Sequence, residues 1–325
     1  MTAIAAAKNR EPGAHLDAHS RSPGPIHFRA SESHGSEATL IQREESSPAA
    51  AAVPLALRPL FRWPGGKRWL IPRLLPLIPP EFSGRYYEPF FGGGALFFAS
   101  RPGVATISDR NSELMGAYRA IRDHPEPLED ALRELRTGAP AYYRVRATRP
   151  TDAIARAARL IYLTSHAFNG IYRVNRKGEF NVPYGGRTYS LGGSGSLLAY
   201  SKALSRAEIL DDDFEQAVAS ARAGDFVYLD PPYTMAHSNN GFLKYNARVF
   251  SWRDQERLAE VATRLAKLGA AVVVSNAEHE SIHGMYGSFQ AWRVRRISVM
   301  APDICRRVSV NEVIYTNNLP LSTSE

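Results

Sequence analysis

The chain has 325 residues, 44% of them hydrophobic, and a formal net charge of +8 at pH 7. This length allows one large domain or two modest ones. No run approaches the roughly 18 uninterrupted apolar residues of a membrane helix, and the first residues do not form a signal peptide. Cys305 is the only cysteine, which excludes an intrachain disulfide and a cysteine metal cluster. These features predict a cytoplasmic protein with no membrane association.

The positive charge is concentrated in the middle of the chain. Residues 140–208 carry 11 Lys/Arg against 3 Asp/Glu, a net of +8, whereas residues 1–57 carry 5 against 6. A local excess of this size favours a polyanionic partner. The alternative is the solvated surface of an arginine-rich protein.

Residues 1–56 are rich in Ala, Ser, Pro, Gly and His and contain few large apolar side chains. A segment of this composition buries too little apolar surface to offset the entropy lost on ordering. We therefore predict a disordered N-terminal tail and a folded part that begins near residue 57.

The folded part opens with the turn Trp63-Pro64-Gly65-Gly66-Lys67, and helical spacing follows over 69–78. A phosphate-binding loop would need glycine in place of Phe61 and Ser or Thr in place of Arg68. The pattern therefore indicates a glycine turn before a helix, and not a nucleoside triphosphate site.

A strand over 85–90, the turn Phe91-Gly92-Gly93-Gly94 and a helix over 95–99 form the first predicted βα unit. Such units are typical of nucleotide sites, because glycines let a ligand approach the backbone. Phe97 replaces the third glycine of the dinucleotide pattern, so a pyrophosphate is not indicated. A plain turn is the alternative.

A second short strand over 105–109 ends in Asp109, and a helix over 111–122 follows. An acid at this position can accept hydrogen bonds from both hydroxyls of a ribose. The two βα units together therefore indicate a cofactor that carries adenosine. The alternative for Asp109 is a helix cap.

Helices are predicted over 127–136 and 152–166, and the segment 168–185 then interleaves aromatic residues with Arg, Asn and Lys. Its residues 176–179 have the composition of a hairpin turn. Aromatic and basic residues in this mixture suit stacking on bases and contact with phosphates. A hairpin with no ligand is the alternative. A further helix is predicted over 197–209.

The most informative stretch is a buried strand over 225–229 that runs into Asp230-Pro231-Pro232-Tyr233. The two prolines lack a backbone N–H, so the strand ladder ends there, and the residue before a proline is held extended. The result is a rigid corner with an acceptor carboxylate, open carbonyls and a flat ring. Such a corner suits a planar substrate that carries an amino group, and a simple strand end is the alternative.

The C-terminal third completes the predicted sheet. A polar loop over 234–250 is long enough to act as a lid. A helix with an N-cap over 251–267 leads to a buried strand over 270–275. Segments 292–299 and 308–315 are predicted to pair as antiparallel strands at the sheet edge.

Taken in order, these motifs resemble those of the Dam-like family of DNA adenine methyltransferases over about 58–317. The motifs that carry the resemblance are Arg62-Trp63-Pro64-Gly65-Gly66-Lys67, Glu88-Pro89-Phe90-Phe91-Gly92-Gly93-Gly94, Asp109-Arg110-Asn111, Phe168-Asn169-Gly170, Gly178-Glu179-Phe180-Asn181-Val182-Pro183-Tyr184-Gly185, Asp230-Pro231-Pro232-Tyr233 and Val273-Val274-Ser275-Asn276. Two positions depart from the family pattern, in which tyrosine often stands at Phe168 and arginine often follows Gly185 directly.

The resemblance implies a Rossmann-like, mostly parallel α/β methyltransferase sheet with an inserted DNA-recognition domain built from helices and a β-hairpin. The catalytic domain would comprise 57–123 and 209–318, and the recognition domain 124–208. Residues 319–325 would form a short C-terminal tail.

The resemblance also implies S-adenosylmethionine as the cofactor, and it assigns residues to three sites. The cofactor-binding residues would be Trp63, Lys67, Phe90, Gly92, Gly94, Asp109 and Asp230. The catalytic adenine site would be Asp230, Pro231, Pro232 and Tyr233. The DNA-binding residues would be Phe168, Asn169, Arg173, Arg176, Lys177 and Arg187. No metal is required.

The predicted function is a site-specific, adenine-specific DNA methyltransferase of the EC 2.1.1.72 type, acting as a monomer on double-stranded DNA. It would methylate the exocyclic amino group of a flipped adenine, in a short GATC-type site and in the setting of restriction-modification. Three rivals stay open on the residues alone. These are a cytosine amino-methyltransferase, a protein-glutamine methyltransferase and a DNA reader with a silent site.

Overall fold

The computed structural model describes residues 57–80, 82–186, 196–233, 250–297 and 309–318. Four sequence predictions lie outside these residues: the disordered tail over 1–56, the DNA contact of Arg187, most of the loop proposed as a lid over 234–250 and the C-terminal tail over 319–325.

The described residues form one seven-stranded sheet with the order β3-β2-β1-β4-β5-β7-β6. Its strands are β1 (Tyr86–Glu88), β2 (Ala105–Ser108), β3 (Ala207–Leu210), β4 (Phe226–Leu229), β5 (Ala271–Ala277), β6 (Gln290–Ile297) and β7 (Ser309–Thr316). Strands β1 to β5 are parallel, while β7 is antiparallel to both β5 and β6. The predicted mostly parallel α/β sheet with an antiparallel pair at one edge is confirmed.

Ten α-helices connect or cover these strands within the described ranges. They are α1 (Ile71–Leu74), α2 (Ala95–Ser100), α3 (Ser112–Asp123), α4 (Pro125–Arg133), α5 (Ala139–Ala147), α6 (Ala153–His166), α7 (Leu197–Leu204), α8 (Phe214–Ala217), α9 (Trp252–Lys267) and α10 (Glu280–His283). Short 3₁₀ turns occur at Arg68–Leu70, Leu75–Leu77 and Phe168–Gly170. No described helix is long and apolar enough to span a membrane.

Side-chain caps explain where the longer helices begin. The side chains of Asn111 and Asp152 accept backbone N–H bonds at the starts of α3 and α6. Ser251 and Asp254 form a reciprocal capping box at the start of α9. In α9, the buried positions Leu258, Val261, Ala262 and Leu265 follow helical spacing, which turns one face towards the sheet.

The alternation of side chains along the strands builds two apolar layers, one on each face of the sheet. Tyr86, Tyr228 and Val273 belong to the layer that includes α2, α3 and α6. Their sequence neighbours Tyr87 and Val227 belong to the layer covered by α8, α9 and α10. Covering both faces is what allows the parallel strands to be continuously apolar.

Strand order reverses between β1 and β4, because β2 and β3 lie on one side of β1 and β5 lies beyond β4. In open α/β sheets, ligands bind at such a switch point, outside the carboxyl ends of the strands. Here those ends carry Glu88, the last residue of β1, and Asp230, the first residue after β4. The topology therefore brings the predicted glycine turn and the predicted corner to the same edge.

Four elements differ from the sequence predictions: β3, α5, α8 and α10, of which α8 and α10 are single-turn helices that were not predicted. The helix predicted over 197–209 ends at Leu204, and Ala207–Leu210 forms β3, which pairs with β2. The chain turns into the sheet because Ala207 and Ile209 bury one face while Glu208 points outward. Helix α5, with Pro140 in its first turn, was not predicted. Strand β3 also runs across the predicted domain boundary at 208/209.

Candidate active site

The proposed corner leaves the sheet directly from β4, whose four residues are all buried. Leu229 pairs with Val274, so Asp230 lies beside Ser275 on the neighbouring strand. The Ser275 hydroxyl donates to Asp230 Oδ1 at 2.6 Å. Lys67 Nζ lies 3.0 Å from the same oxygen. The carboxylate is therefore held by one neutral and one charged donor.

Lys67 reaches Asp230 from the glycine turn at the start of the folded part. Gly66 N donates to Trp63 O at 3.1 Å, and Lys67 Nζ donates to Gly65 O at 3.1 Å. The lysine is only 5% exposed. Burial raises the pKa of Asp230, while the Lys67 charge and the Ser275 hydrogen bond act in the opposite direction. Sequence analysis placed both residues at one site, and the structure brings them together.

The Tyr233 ring completes the corner. Lys67 Nζ lies 4.4 Å from the centroid of this ring, in a cation–π geometry. The Tyr233 hydroxyl donates to Glu312 Oε2 at 2.9 Å. Burial and the nearby carboxylates raise the pKa of Tyr233 well above its ordinary value, so the hydroxyl stays protonated and able to donate.

The glycine turn after β1 is fixed by Asp109. Its Oδ2 accepts from Gly92 N at 3.0 Å and its Oδ1 accepts from Asn111 N at 2.9 Å. Burial raises the pKa of Asp109, and these two backbone bonds lower it. Gly92 and Gly94 have φ values of +47° and +64°, a left-handed region that favours glycine. Asp109 therefore organises the turn through two backbone hydrogen bonds.

Trp63 connects the Gly92–Gly94 turn after β1 to the predicted recognition segment over 168–185. Its ring stacks on Tyr172, with centroids 4.8 Å apart and an interplanar angle of 23°. A Cβ added to Gly92 would lie 2.9 Å from Trp63 Cδ1, so the indole edge approaches this backbone closely. The Tyr172 hydroxyl donates to Glu113 on α3 at 3.0 Å.

Phe90 has a different environment from the other predicted cofactor residues. It is half-buried, and it packs on Phe214 and Phe250 with ring centroids 5.5 Å away in both cases. Those partners belong to the apolar layer beneath α8, α9 and α10. The ring thus anchors the turn to that layer.

The predicted hairpin forms a compact loop held by two isolated antiparallel bridges, Ala167 with Tyr184 and Val174 with Phe180. Its turn closes through Gly178 N to Asn175 O at 3.0 Å. Five of the six predicted DNA-binding residues lie in this loop, and all five are exposed: Phe168, Asn169, Arg173, Arg176 and Lys177.

Two geometric features single out residues in this loop. Arg173 Nε donates to Asn181 Oδ1 at 2.8 Å, which orients the guanidinium. Phe168 is 53% exposed, and the next residue, Asn169, has a φ of +54°. Both features cost free energy, because the Phe168 ring stays in contact with water and Asn169 adopts a left-handed backbone conformation.

Three polar residues at the same edge were not assigned roles in the sequence analysis: Ser275, Glu88 and Glu312. Glu88 is buried and accepts from the Tyr86 hydroxyl at 2.6 Å. Burial raises the pKa of Glu88 to about 8. The charge of Asp230 also raises this pKa, whereas the hydrogen bond from Tyr86 lowers it. A sequence signal existed for Glu312, since it interrupts the apolar alternation of Val310 and Ile314.

Within the described ranges, no group of three or more His, Cys, Asp or Glu side chains is placed to hold a metal ion. That the site works without a metal stays a prediction.

The fold and this edge define a class of protein: a doubly wound α/β domain with a nucleotide-type glycine turn and a carboxylate–proline–tyrosine corner at the switch point. Comparison with known proteins narrows the class. Residues 63–300 match the family model of the D12 class N6 adenine-specific DNA methyltransferases.

Named relatives agree with this match. The Type II methyltransferase M1.LlaDCHI of Lactococcus lactis subsp. cremoris is 36% identical over 272 residues, which are 80% of this chain and 95% of the relative. The Type II methyltransferase M.MjaIII of Methanocaldococcus jannaschii is 33% identical over 264 residues, 74% of this chain and 91% of the relative. The DNA adenine methylase of Serratia marcescens is 28% identical over 267 residues, which are 79% of this chain and 97% of the relative.

The chain belongs to the D12 class of N6 adenine-specific DNA methyltransferases. It is a transferase that methylates adenine in DNA, as the motifs predicted. Family membership favours this activity over cytosine methylation, protein-glutamine methylation and silent DNA reading. Use of S-adenosylmethionine is implied by the family.

Proposed function

We propose that the edge formed by the corner and the glycine turn binds S-adenosylmethionine and one adenine extruded from duplex DNA. The observation that carries this proposal is the cluster of Asp230, Lys67 and Glu312. Lys67 Nζ lies 3.0 Å from Asp230 and 3.7 Å from Glu312, so one ammonium is shared by two carboxylates. Among the described residues of this cluster, two carboxylates and one ammonium leave an excess of negative charge, which suits a cofactor whose reactive centre is a sulfonium cation.

Four features would hold the cofactor. Trp63 and the Gly92–Gly94 turn offer a flat indole and a closely approachable backbone. Each oxygen of Asp109 accepts one backbone N–H and keeps a second lone pair, so the carboxylate can also accept from ribose hydroxyls. Asp230 and Lys67 would lie near the charged end. When bound, the cofactor supplies an electrophilic methyl group; orientation and electrostatics are the protein's part.

Asp230 and the carbonyl of Pro231 would accept hydrogen bonds from the adenine amino group. Accepting from this amine would keep electron density on its nitrogen. That nitrogen would form a bond to the methyl carbon while the carbon–sulfur bond of the sulfonium breaks to leave a neutral thioether, and the methylated amine would release one proton to water. Tyr233 would stack on the adenine ring, with its hydroxyl fixed by Glu312. Pro231 and Pro232 make the corner rigid, and rigid alignment of reacting groups is worth effective molarities of about 10⁵–10⁸ M.

Extrusion of the adenine costs a few kcal/mol, which the protein has to recover through contacts with the DNA. The exposed loop over 168–185 is proposed to make those contacts. Arg173 would read a guanine edge, because a guanidinium can donate twice to the two acceptors found there. Arg176 and Lys177 lie at the exposed turn and would contact phosphates.

We propose a short GATC-type target, on the likeness of the recognition loop to the Dam-like pattern. The names of two relatives, both Type II methyltransferases, support a setting of restriction-modification for this chain. A monomeric state and a cytoplasmic location stay predictions.

The recognition roles are tested by methylation of duplexes. Sequencing of the methylated positions first identifies the target, and transfer rates are then measured on all single-base variants of it. Arg173→Ala should lose about 1–3 kcal/mol of discrimination at one base position. Lys177→Ala is the matched control and should slow every substrate alike, with a salt dependence shallower by about one unit. If Arg173→Ala kept the wild-type ranking of sites, Arg173 would be a backbone contact.

A further inference from the structure

Glu312 is a buried carboxylate on β7 that neither the motifs nor the family resemblance singled out. It is 3% exposed. It pairs with Ala277 of β5 and Val294 of β6. A charge buried inside a sheet is costly unless it is paired and hydrogen-bonded, so the contacts of this side chain indicate why it is there.

The topology explains how Glu312 reaches the corner. Ser275 pairs with Ile314, and side chains two residues apart along a strand share a face, so Glu312 lies on the face of Ile314 and Ser275. That face also carries Tyr228, which leads to Asp230. Because β7 runs antiparallel to β5, a residue early in β7 arrives at the carboxyl ends of the parallel strands.

Glu312 contacts the corner at two points. Its Oε2 accepts from the Tyr233 hydroxyl at 2.9 Å. The same oxygen lies 3.7 Å from Lys67 Nζ, which also lies 3.0 Å from Asp230 Oδ1. The Tyr233 ring, the ammonium and the Asp230 carboxylate are thus linked through this side chain.

We infer that Glu312 is a positioning residue for methyl transfer, which fixes the Tyr233 ring and gives the site its excess negative charge. This inference rests on the proposed function and deepens it. Among the described residues at this edge, the charged groups that face one another are Lys67, Asp230 and Glu312. Glu88, whose pKa is raised to about 8, is largely protonated at neutral pH, and Tyr233 and Tyr228 contribute hydroxyls. Within this described set, Glu312 adds a second negative charge to the pair of Lys67 and Asp230.

The charge role makes a specific prediction about the cofactor and its product. S-adenosylmethionine carries a sulfonium cation, whereas S-adenosylhomocysteine carries an uncharged thioether at the same position. An excess negative charge stabilises the first ligand and not the second. A residue that only supported the fold would affect the binding of both ligands equally.

The experiment compares three variants of the full chain. Glu312→Gln removes the charge and keeps an acceptor oxygen for Tyr233. Tyr233→Phe removes the hydroxyl and keeps the ring. Glu208→Gln is the matched control, a carboxylate in β3 that pairs with Arg85 at the opposite end of the sheet. Dissociation constants for both ligands come from calorimetric titration, and single-turnover rates on duplex DNA from tritiated methyl transfer.

Glu312→Gln should raise the dissociation constant of S-adenosylmethionine roughly tenfold, equivalent to about 1.4 kcal/mol. It should change the dissociation constant of S-adenosylhomocysteine by less than about twofold. Tyr233→Phe should slow single-turnover transfer about tenfold at saturating cofactor, with DNA affinity unchanged. Glu208→Gln should match the wild type in all of these measurements.

Equal weakening of both ligands by Glu312→Gln, or no effect on either, would overturn the charge role. Wild-type transfer by Tyr233→Phe would overturn the positioning of the ring. If Glu312→Gln did not fold, Tyr233→Phe would still decide the second point, and loss of folding in Glu312→Gln alone would make the residue structural. Failure of the wild-type protein to methylate adenine would instead refute the proposed function.

Discussion

At the scale of single residues, four buried or half-buried carboxylates carry the site, and each is held by a named donor. Asp230 accepts from Ser275, Glu88 from Tyr86 and Glu312 from Tyr233. Asp109 accepts from two backbone N–H groups. Carboxylates fixed in this way need little reorganisation when a ligand arrives, which is the condition for strong electrostatic stabilisation.

Asp109 has a double role that mutation can separate. Asp109→Ala should raise the dissociation constant of S-adenosylmethionine, because the proposed ribose acceptor is lost. It should also lower the free energy of unfolding by about 1–3 kcal/mol, because the backbone N–H groups of Gly92 and Asn111 lose their partner. Calorimetric titration and chemical denaturation measure the two effects.

The control for this prediction is Asn111→Ala. The Asn111 side chain accepts from Leu114 N at the start of α3. Its loss should cost about 1 kcal/mol of stability and leave cofactor affinity unchanged. If Asp109→Ala bound the cofactor like the wild type, Asp109 would serve only as a cap.

The residues of the site that sequence analysis could predict are those in contiguous motifs. Asp230 and Tyr233 are adjacent in the chain to prolines that fix their geometry, and Lys67 follows a glycine pair. The contact between Tyr233 and Glu312 spans 79 residues and depends on the antiparallel return of β7. No local pattern specifies which side chain such a return brings to the corner.

At the scale of elements, the principal link is between the glycine turn and the recognition loop. Trp63 stacks on Tyr172 and approaches Gly92, while Tyr172 is tied to α3 through Glu113. The turn proposed to bind the cofactor and the loop proposed to contact DNA therefore share one aromatic contact. We expect a change at either proposed site to reach the other through this contact.

Tyr172→Ala should weaken S-adenosylmethionine binding by roughly two- to tenfold, since an aromatic pair is worth about 0.5–1.5 kcal/mol beyond its burial. Tyr172→Phe keeps the ring that stacks on Trp63 and removes the hydroxyl that donates to Glu113, so it should bind the cofactor like the wild type. Titration of both variants tests the link. Equal affinities of Tyr172→Ala and the wild type would show that the loop and the cofactor turn are independent.

Elements bounded by strong local signals were predicted, and those defined by tertiary pairing were not. The glycine after β1, the prolines after β4 and the Ser251 cap of α9 each marked an end of an element. Strand β3 was assigned to a helix, because 197–209 is rich in helix-forming residues and its pairing with β2 is not visible locally.

At the scale of the whole molecule, function follows from where the sheet reverses its order. The reversal between β1 and β4 places the motif that follows each strand at one edge. Strand β7, which runs antiparallel to β5, then brings the carboxylate of Glu312 to the same edge. The basic segment over 140–208, with its net charge of +8, is proposed to supply electrostatic attraction for DNA.

The central claim is that Asp230 receives the adenine amine at this edge, and single-turnover methyl transfer to a duplex tests it most directly. Asp230→Ala should lower the rate by at least roughly a hundredfold, as loss of a preorganised group that acts on the reacting atoms does. DNA affinity, measured in parallel by fluorescence anisotropy, should stay within about twofold, because the Asp230 carboxylate is held by Ser275 and Lys67 and its proposed partner is the adenine amine, not a phosphate. Near wild-type transfer of the labelled methyl group to adenine by Asp230→Ala would contradict the account.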